Sequence, residues 1–215
     1  MFSLGWQSYP VFGSGDDISD DSPFYYVESV TKSDTYLSNK VYLFGEVNDS
    51  SSSEVVRRLF ELDDNKDVED IDMLINSEGG IVSGALSIIH AMKSISKPVR
   101  TIVTGCAYSC ASLIAINGDY RECVPYSMYM VHSTSYEELY GMNPGKLNVL
   151  GNQLTYLNNM QLDMFSNLTK IDIPSLKESI NSGIELYLTS EQALSDGLVD
   201  KICTYSKKQT NLKKD

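Results

Sequence analysis

The sequence predicts an α/β fold, and three observations carry that expectation. Short apolar runs alternate with longer segments of helical spacing along the 215 residues. The connections between them are short, as in a layered sheet-and-helix unit. A hydrophobic fraction of 42% is enough to bury a core without disulfide or metal staples. Taken in order, strands are expected near 24–30, 41–45, 71–75, 100–104, 120–124 and 128–132, and helices near 52–62, 81–94, 109–117 and 144–168. Asn143 followed by Pro144 marks the start of the longest helix, with a cap residue and a proline at the first helical position. Thr189 with Gln192 forms a capping box before a short helix that Gly197 closes. Residues 1–22, rich in Gly, Ser and Asp, read as a flexible leader; 23–205 form the domain; 206–215 are a basic polar tail.

Composition excludes several classes. A formal charge of −12 argues against nucleic acid as the main partner, and its acidic runs, 16–21 and 61–70, read as solvated loops. No run approaches the roughly 18 apolar residues of a membrane span, and Met1–Pro10 lacks the pattern of a signal peptide. The four cysteines, Cys106, Cys110, Cys123 and Cys203, form no Cys-x-x-Cys pair and point to free thiols in a reducing cytoplasm. With two histidines and no ligand cluster, neither a zinc site nor another cofactor is implied.

Three segments carry chemistry. In Thr104–Ile114 a strand ends in a Gly turn and Ser109 stands at the start of an apolar helix. A serine hydroxyl there lies beside free backbone N–H groups, here from Cys110, although Ser at a helix start is often only a cap. In Asn76-Ser-Glu-Gly-Gly-Ile81, the paired glycines Gly79 and Gly80 allow main chain to approach a substrate and leave N–H groups unpaired before Ile81. In Met128–His132 an apolar strand ends in a histidine, where a general base at a site edge would sit. His90, inside a helix, reads as an ordinary packed or exposed side chain.

The order Ile-Asn-Ser-x-Gly-Gly, Gly-x-Ala-x-Ser-x-Ala, Met-Val-His and Leu-Thr-Ser-x-x-Ala-x-x-x-Gly-Leu-Val-Asp resembles the proteolytic subunit of the Clp protease (ClpP) over about 39–205. The resemblance implies a ClpP/crotonase-like superhelix of ββα units with a long projecting handle helix, here about 144–170, and a serine endopeptidase working inside a homo-oligomer of two stacked heptameric rings. It matches Ser109 to the nucleophile, His132 to the general base, and the N–H groups of Gly80 and Cys110 to the oxyanion hole. Gly79 and Ile81 fall where substrate main chain would bind. The family's Asp is replaced by Glu185, which has one more methylene and is expected to accept the other ring N–H of His132.

Other departures bear on partners. A peptide or unfolded protein is the implied substrate, and an AAA+ unfoldase the implied partner. Its docking strand, however, offers Asp72 and Leu74 in place of two tyrosines, and a carboxylate opposes burial of an apolar loop. Ile184 replaces the arginine before the triad acid. Such divergence suits an accessory or virus-encoded member, acting in the cytoplasm or a host's cytoplasm. Two rival readings are a catalytically silent assembly subunit and an acyl-CoA enzyme of the crotonase type, which predicts a carboxylate near the oxyanion hole and no Ser–His pair. A Ser–Lys mechanism would need Lys93 or Lys97 as the base. Leu147, Leu150, Leu154, Leu157, Met164 and Leu168 form a stripe on the long helix, broken at Gln161, whose default reading is packing within its own domain.

Overall fold

In the computed structural model, residues 39–136 and 143–203 are described, and they lie within one unit, Asn39–Asp215. The expected strand at 24–30, the leader 1–22 and the tail 206–215 fall outside the described residues. Among the described residues, seven strands and six helices follow in the order β1 Lys40–Val47, α1 Asp49–Asp64, β2 Ile71–Gly80, α2 Val82–Ser94, β3 Val99–Tyr108, α3 Cys110–Ile116, β4 Tyr120–Cys123, β5 Met128–Val131, α4 Pro144–Leu168, α5 Ile173–Ser182, β6 Leu186–Thr189, α6 Ser190–Ser195 and β7 Lys201–Ile202.

The sheet runs β1-β2-β3-β4-β7 in parallel. β3 then divides its partners. Arg100–Val103 pair with β4, whereas Cys106–Tyr108 pair with β5, which in turn pairs antiparallel with β6. The division falls at Gly105, where an added Cβ would lie 2.3 Å from Asn76 Oδ1. That oxygen accepts the N–H of Cys106 at 3.1 Å, and the β2–β3 register slips between Ile75 and Ser77. A bulge of this kind bends and twists a strand, and here it turns the end of β3 toward β5.

One face of the sheet buries Val41, Leu43, Ile71, Met73, Ile75, Val99 and Val103 against the apolar faces of α1, α2 and α3. Four of the six helices among the described residues start at a side-chain cap. Asn48 caps α1 through a reciprocal bond with Ser51, Asn143 caps α4 through the N–H of Lys146, and Thr189 pairs with Gln192 at α6. Asp172 caps α5 and Gly183, at φ +68°, ends it in the left-handed conformation. The expected stripe on α4 packs on its own domain only at its C-terminal end. Met164 and Leu168 pack against the core beside buried Gln161, Leu162 and Phe165, while Leu147 is 44% exposed and its neighbour Val149, off the stripe, 66%.

The opposite face carries charge. Asp72, only 5% exposed, accepts from Arg100 Nε and Nη2 at 2.8 and 2.9 Å, with Lys40 Nζ at 3.4 Å. Glu122 accepts the Cys203 thiol at 2.9 Å and lies 3.7 Å from Lys201 and 3.9 Å from Arg100. Asp72 is therefore neutralised by its cross-strand neighbours, and Tyr42 and Phe44 stand exposed beside it on β1.

Arg121 ties the far edge together. Its guanidinium donates to both oxygens of Asp200 and to the Leu168 carbonyl at the end of α4. The hydrogen bonds from Arg121 hold the Asp200 carboxyl below its ordinary value of 3.8, against burial, which acts the other way. A lowered folded-state pKa gives stability that is complete above the unfolded value and is lost as pH falls through the folded one. Asp200→Asn is expected to cost about 1 kcal/mol near neutral pH, a bidentate pair discounted for its partial exposure. Denaturant melts should show that difference closing as pH is lowered from about 5 to about 2; a constant gap would mean the charge is not its source.

Candidate active site

Ser109 connects β3 directly to α3 with φ +54° and ψ −129°, a conformation that L-residues rarely adopt. Three hydrogen bonds hold it there. Its N–H donates to the Met130 carbonyl at 2.8 Å, and its own carbonyl accepts from the Ser112 N–H at 3.0 Å and the Ser112 hydroxyl at 2.6 Å. Ser109 makes no capping bond to α3, so its hydroxyl is free of the role expected of a serine at a helix start. It is turned to His132 instead, with Oγ 2.7 Å from Nε2.

His132 follows β5, and the pairing of Tyr108 with Met130 places both strand ends side by side. Helix α4 fixes the chain just beyond. Gln161 Nε2 donates to the His132 carbonyl at 3.0 Å, and Asn158 Oδ1 accepts the Thr134 N–H at 2.8 Å. Gln161 is 4% exposed, so the residue that interrupts the apolar stripe does so to satisfy a backbone acceptor. Its role was missed in the sequence, and the break itself was the signal.

The end of β2 meets the same turn. A Cβ on Gly79 would lie 2.6 Å from the Tyr108 carbonyl and 2.8 Å from Ser109 Cβ, and one on Gly80 would lie 2.2 Å from the Val47 carbonyl. Both residues have positive φ, so only glycine lets this segment pass so close. Cys110 is the first residue of α3, where an N–H has no intrahelical partner. Ser109, His132, Gly79, Gly80, Ile81 and Cys110 thus share one cleft of about 1080 Å³.

Glu185 lies elsewhere in detail. Continuing the β5–β6 register one step past Val131 and Leu186 brings it opposite His132. Its carboxylate, however, is exposed and accepts the Tyr187 hydroxyl at 2.8 Å, which raises that phenol's pKa. The bond expected from His132 to Glu185 is not made, and among the described residues His132 Nδ1 has no partner. Tyr187 is itself held edge-on to Tyr108, with ring centroids 5.8 Å apart.

Competing nucleophiles and bases are placed out of use. All four cysteines are free, and burial pushes the thiols of Cys110, Cys123 and Cys203 up to about 11, 12 and 11. Cys106 lines the cleft, and burial and then Glu78 raise its thiol. Lys97 donates to the carbonyls of Leu62 and Asp63 at the end of α1, and Lys93 pairs with Asp119. His90 is exposed on α2. Among the described residues no three His, Cys, Asp or Glu side chains gather as metal ligands, and no helix is long and apolar enough to cross a membrane.

A serine whose hydroxyl meets an imidazole beside a glycine-lined cleft is the arrangement used in acyl transfer. Residues 28–206 match the Clp protease family model, and the chain belongs to that family. It is 30% identical over 167 residues to the ATP-dependent Clp protease proteolytic subunit 1 of Borreliella burgdorferi, covering 75% of this chain and 82% of that protein. It is 29% identical to the ATP-dependent Clp protease proteolytic subunit of Leuconostoc citreum, over 77% of this chain and 83% of the relative. The corresponding subunit 1 of Protochlamydia amoebophila is 26% identical over 77% and 80% of the two chains.

The anchoring of His132 by α4 has a direct test. Gln161→Leu keeps the volume but leaves the His132 carbonyl without its donor, and is expected to destabilise the protein by about 1–3 kcal/mol in denaturant titration. Wild-type stability in that variant would show the bond to be dispensable.

Proposed function

We propose that this chain is a serine endopeptidase. Ser109 attacks a peptide carbonyl while His132 takes its proton; the N–H groups of Gly80 and Cys110 bind the oxyanion, and the substrate backbone lies along Gly79 and Ile81. His132 then protonates the leaving amine, and water deacylates the enzyme. The observation that carries this reading is the 2.7 Å contact between Ser109 Oγ and His132 Nε2. Membership of the Clp protease family supports peptide bonds as the target. The crotonase alternative asks for a cleft carboxylate, which Glu46 and Glu78 offer, but has no use for a Ser–His pair.

Glu185 is the orienting acid in this proposal, reaching His132 by rotating off Tyr187. Its present bond to Tyr187, with the altered docking strand, favours the alternative of a silent assembly subunit. The assembly is a homo-oligomeric chamber of two heptameric rings in the cytoplasm, a reading supported by the exposed apolar residues on the N-terminal half of α4. Neutralisation of Asp72 by Lys40 and Arg100 lessens the obstacle to an unfoldase partner, though the docking strand stays unlike the family's.

A fluorophosphonate probe should label the wild type and fail on Ser109→Ala and His132→Ala, with a native mass that is a multiple of the single chain. Absence of labelling sinks the peptidase, and a single-chain mass sinks the chamber. Separately, Glu185→Gln should lower kcat on a fluorogenic peptide by at least about tenfold, the scale on which triad acids act. An unchanged rate would make Glu185 a bystander.

A further inference from the structure

Several carboxylates of the described chain are paired with cations. Asp72, Glu122 and Asp200 are paired with cations across the sheet, and Glu54 and Glu61 with Arg57 along α1. Glu46 and Glu78 differ. Both are exposed, both line the cleft that holds Ser109 and His132, and among the described residues neither carboxylate has a hydrogen bond or ion pair. Among the described residues they are the only Asp, Glu, Lys or Arg side chains in the lining of that cleft.

Their position is set by the same backbone that sets the candidate nucleophile. Glu46 pairs across β1–β2 with Gly79, and its Cγ lies 3.1 Å from where a Gly80 Cβ would be. Glu78 precedes Gly79, whose own Cβ position is 2.8 Å from Ser109 Cβ, and its charge reaches Cys106 and Tyr108 on the next strand. One carboxylate thus stands on each side of the Gly79–Gly80 segment, within a residue of its contact with Ser109. A concave, partly apolar wall strengthens the field of such charges, and the chain's −12 net charge adds to it.

We propose that Glu46 and Glu78 make this cleft selective for basic peptide segments, admitting lysine or arginine within two or three residues of the cleaved bond and repelling aspartate or glutamate there. The apolar lining from Leu113, Met130 and Met160 gives the methylene stems of those basic residues a surface to lie on while their charged ends reach the glutamates. This substrate class rests on Ser109 being the peptidase nucleophile.

The experiment uses quenched fluorescent peptides with one apolar cleavable core flanked by Lys, Gln or Glu. At low ionic strength kcat/KM should fall in the order Lys, Gln, Glu, with about tenfold or more between the extremes, and the ratio should shrink toward one near about 0.5 M salt. The double variant Glu46→Gln with Glu78→Gln should lose the ranking, and Glu46→Lys with Glu78→Lys should invert it, an inversion that a misfolded protein does not produce. The same labelled peptides are bound to Ser109→Ala and followed by anisotropy. Cleavage of all three peptides at equal efficiency overturns the charge preference and leaves the peptidase standing. Preferential binding of the Lys peptide without any cleavage by the wild type overturns the peptidase and leaves the charge preference standing. Equal binding or none, with no cleavage, overturns both.

Discussion

The structure of this site depends on a strand that changes partners. β3 pairs with β4 over its first half and with β5 over Cys106–Tyr108, and only the second pairing brings Ser109 beside His132. Adjacent strands lie about 4.8 Å apart, a separation that a serine and a histidine can close with one hydrogen bond. The change is enforced by Asn76, whose side-chain oxygen occupies the space over Gly105 and accepts the N–H of Cys106. The Asn-Ser-x-Gly-Gly motif therefore shapes the nucleophile's strand as well as lining the cleft. Ser109 itself sits in a backbone conformation that costs on the order of 1–3 kcal/mol and persists only where surroundings over-determine it. The Met130 carbonyl and the two donors of Ser112 provide that over-determination.

The acid limb is built on weaker constraints. The antiparallel register of β5 and β6 brings Glu185 opposite His132, but register fixes backbone and leaves the carboxylate a choice of rotamers. Tyr187, two residues on and anchored against Tyr108, offers the nearer donor. The extra methylene of glutamate matters here, because it lets the carboxylate fold back along its own strand to reach that hydroxyl. Glu185 is also exposed, so water competes for every partner it takes, and a single hydrogen bond between exposed groups is worth little.

Much of this was legible in the sequence because it is written in local grammar. A strand ending in Gly-x-Ala-x-Ser before an apolar run, a histidine closing a short apolar strand, and Asn-Pro before a long amphipathic stretch each have a backbone reason. What was not legible depends on register. Asn76–Gly80 reads as a turn by propensity, yet it continues β2 because Glu46 and Val47 pair with Gly79 and Gly80. Asp72 reads as an obstacle until Lys40 and Arg100 are found directly across from it. Helix α5 had usable signals in Asp172, Pro174 and Gly183, while β6 and β7 are too short to show periodicity.

The distribution of charge ties sheet and cleft together. On the sheet face opposite α1–α3, Asp72 and Glu122 each face a base on the neighbouring strand, so their charge is satisfied within the protein and their field is short-ranged. In the lining of the cleft Glu46 and Glu78 have no such partners among the described residues. An unpaired surface carboxylate is cheap because water solvates it. Two of them flanking a glycine segment beside a candidate nucleophile add nothing to packing, since neither is buried. Their physical effect is the potential they set up where a substrate backbone would lie, and that potential favours positive charge whatever the chemistry of the bond beneath it.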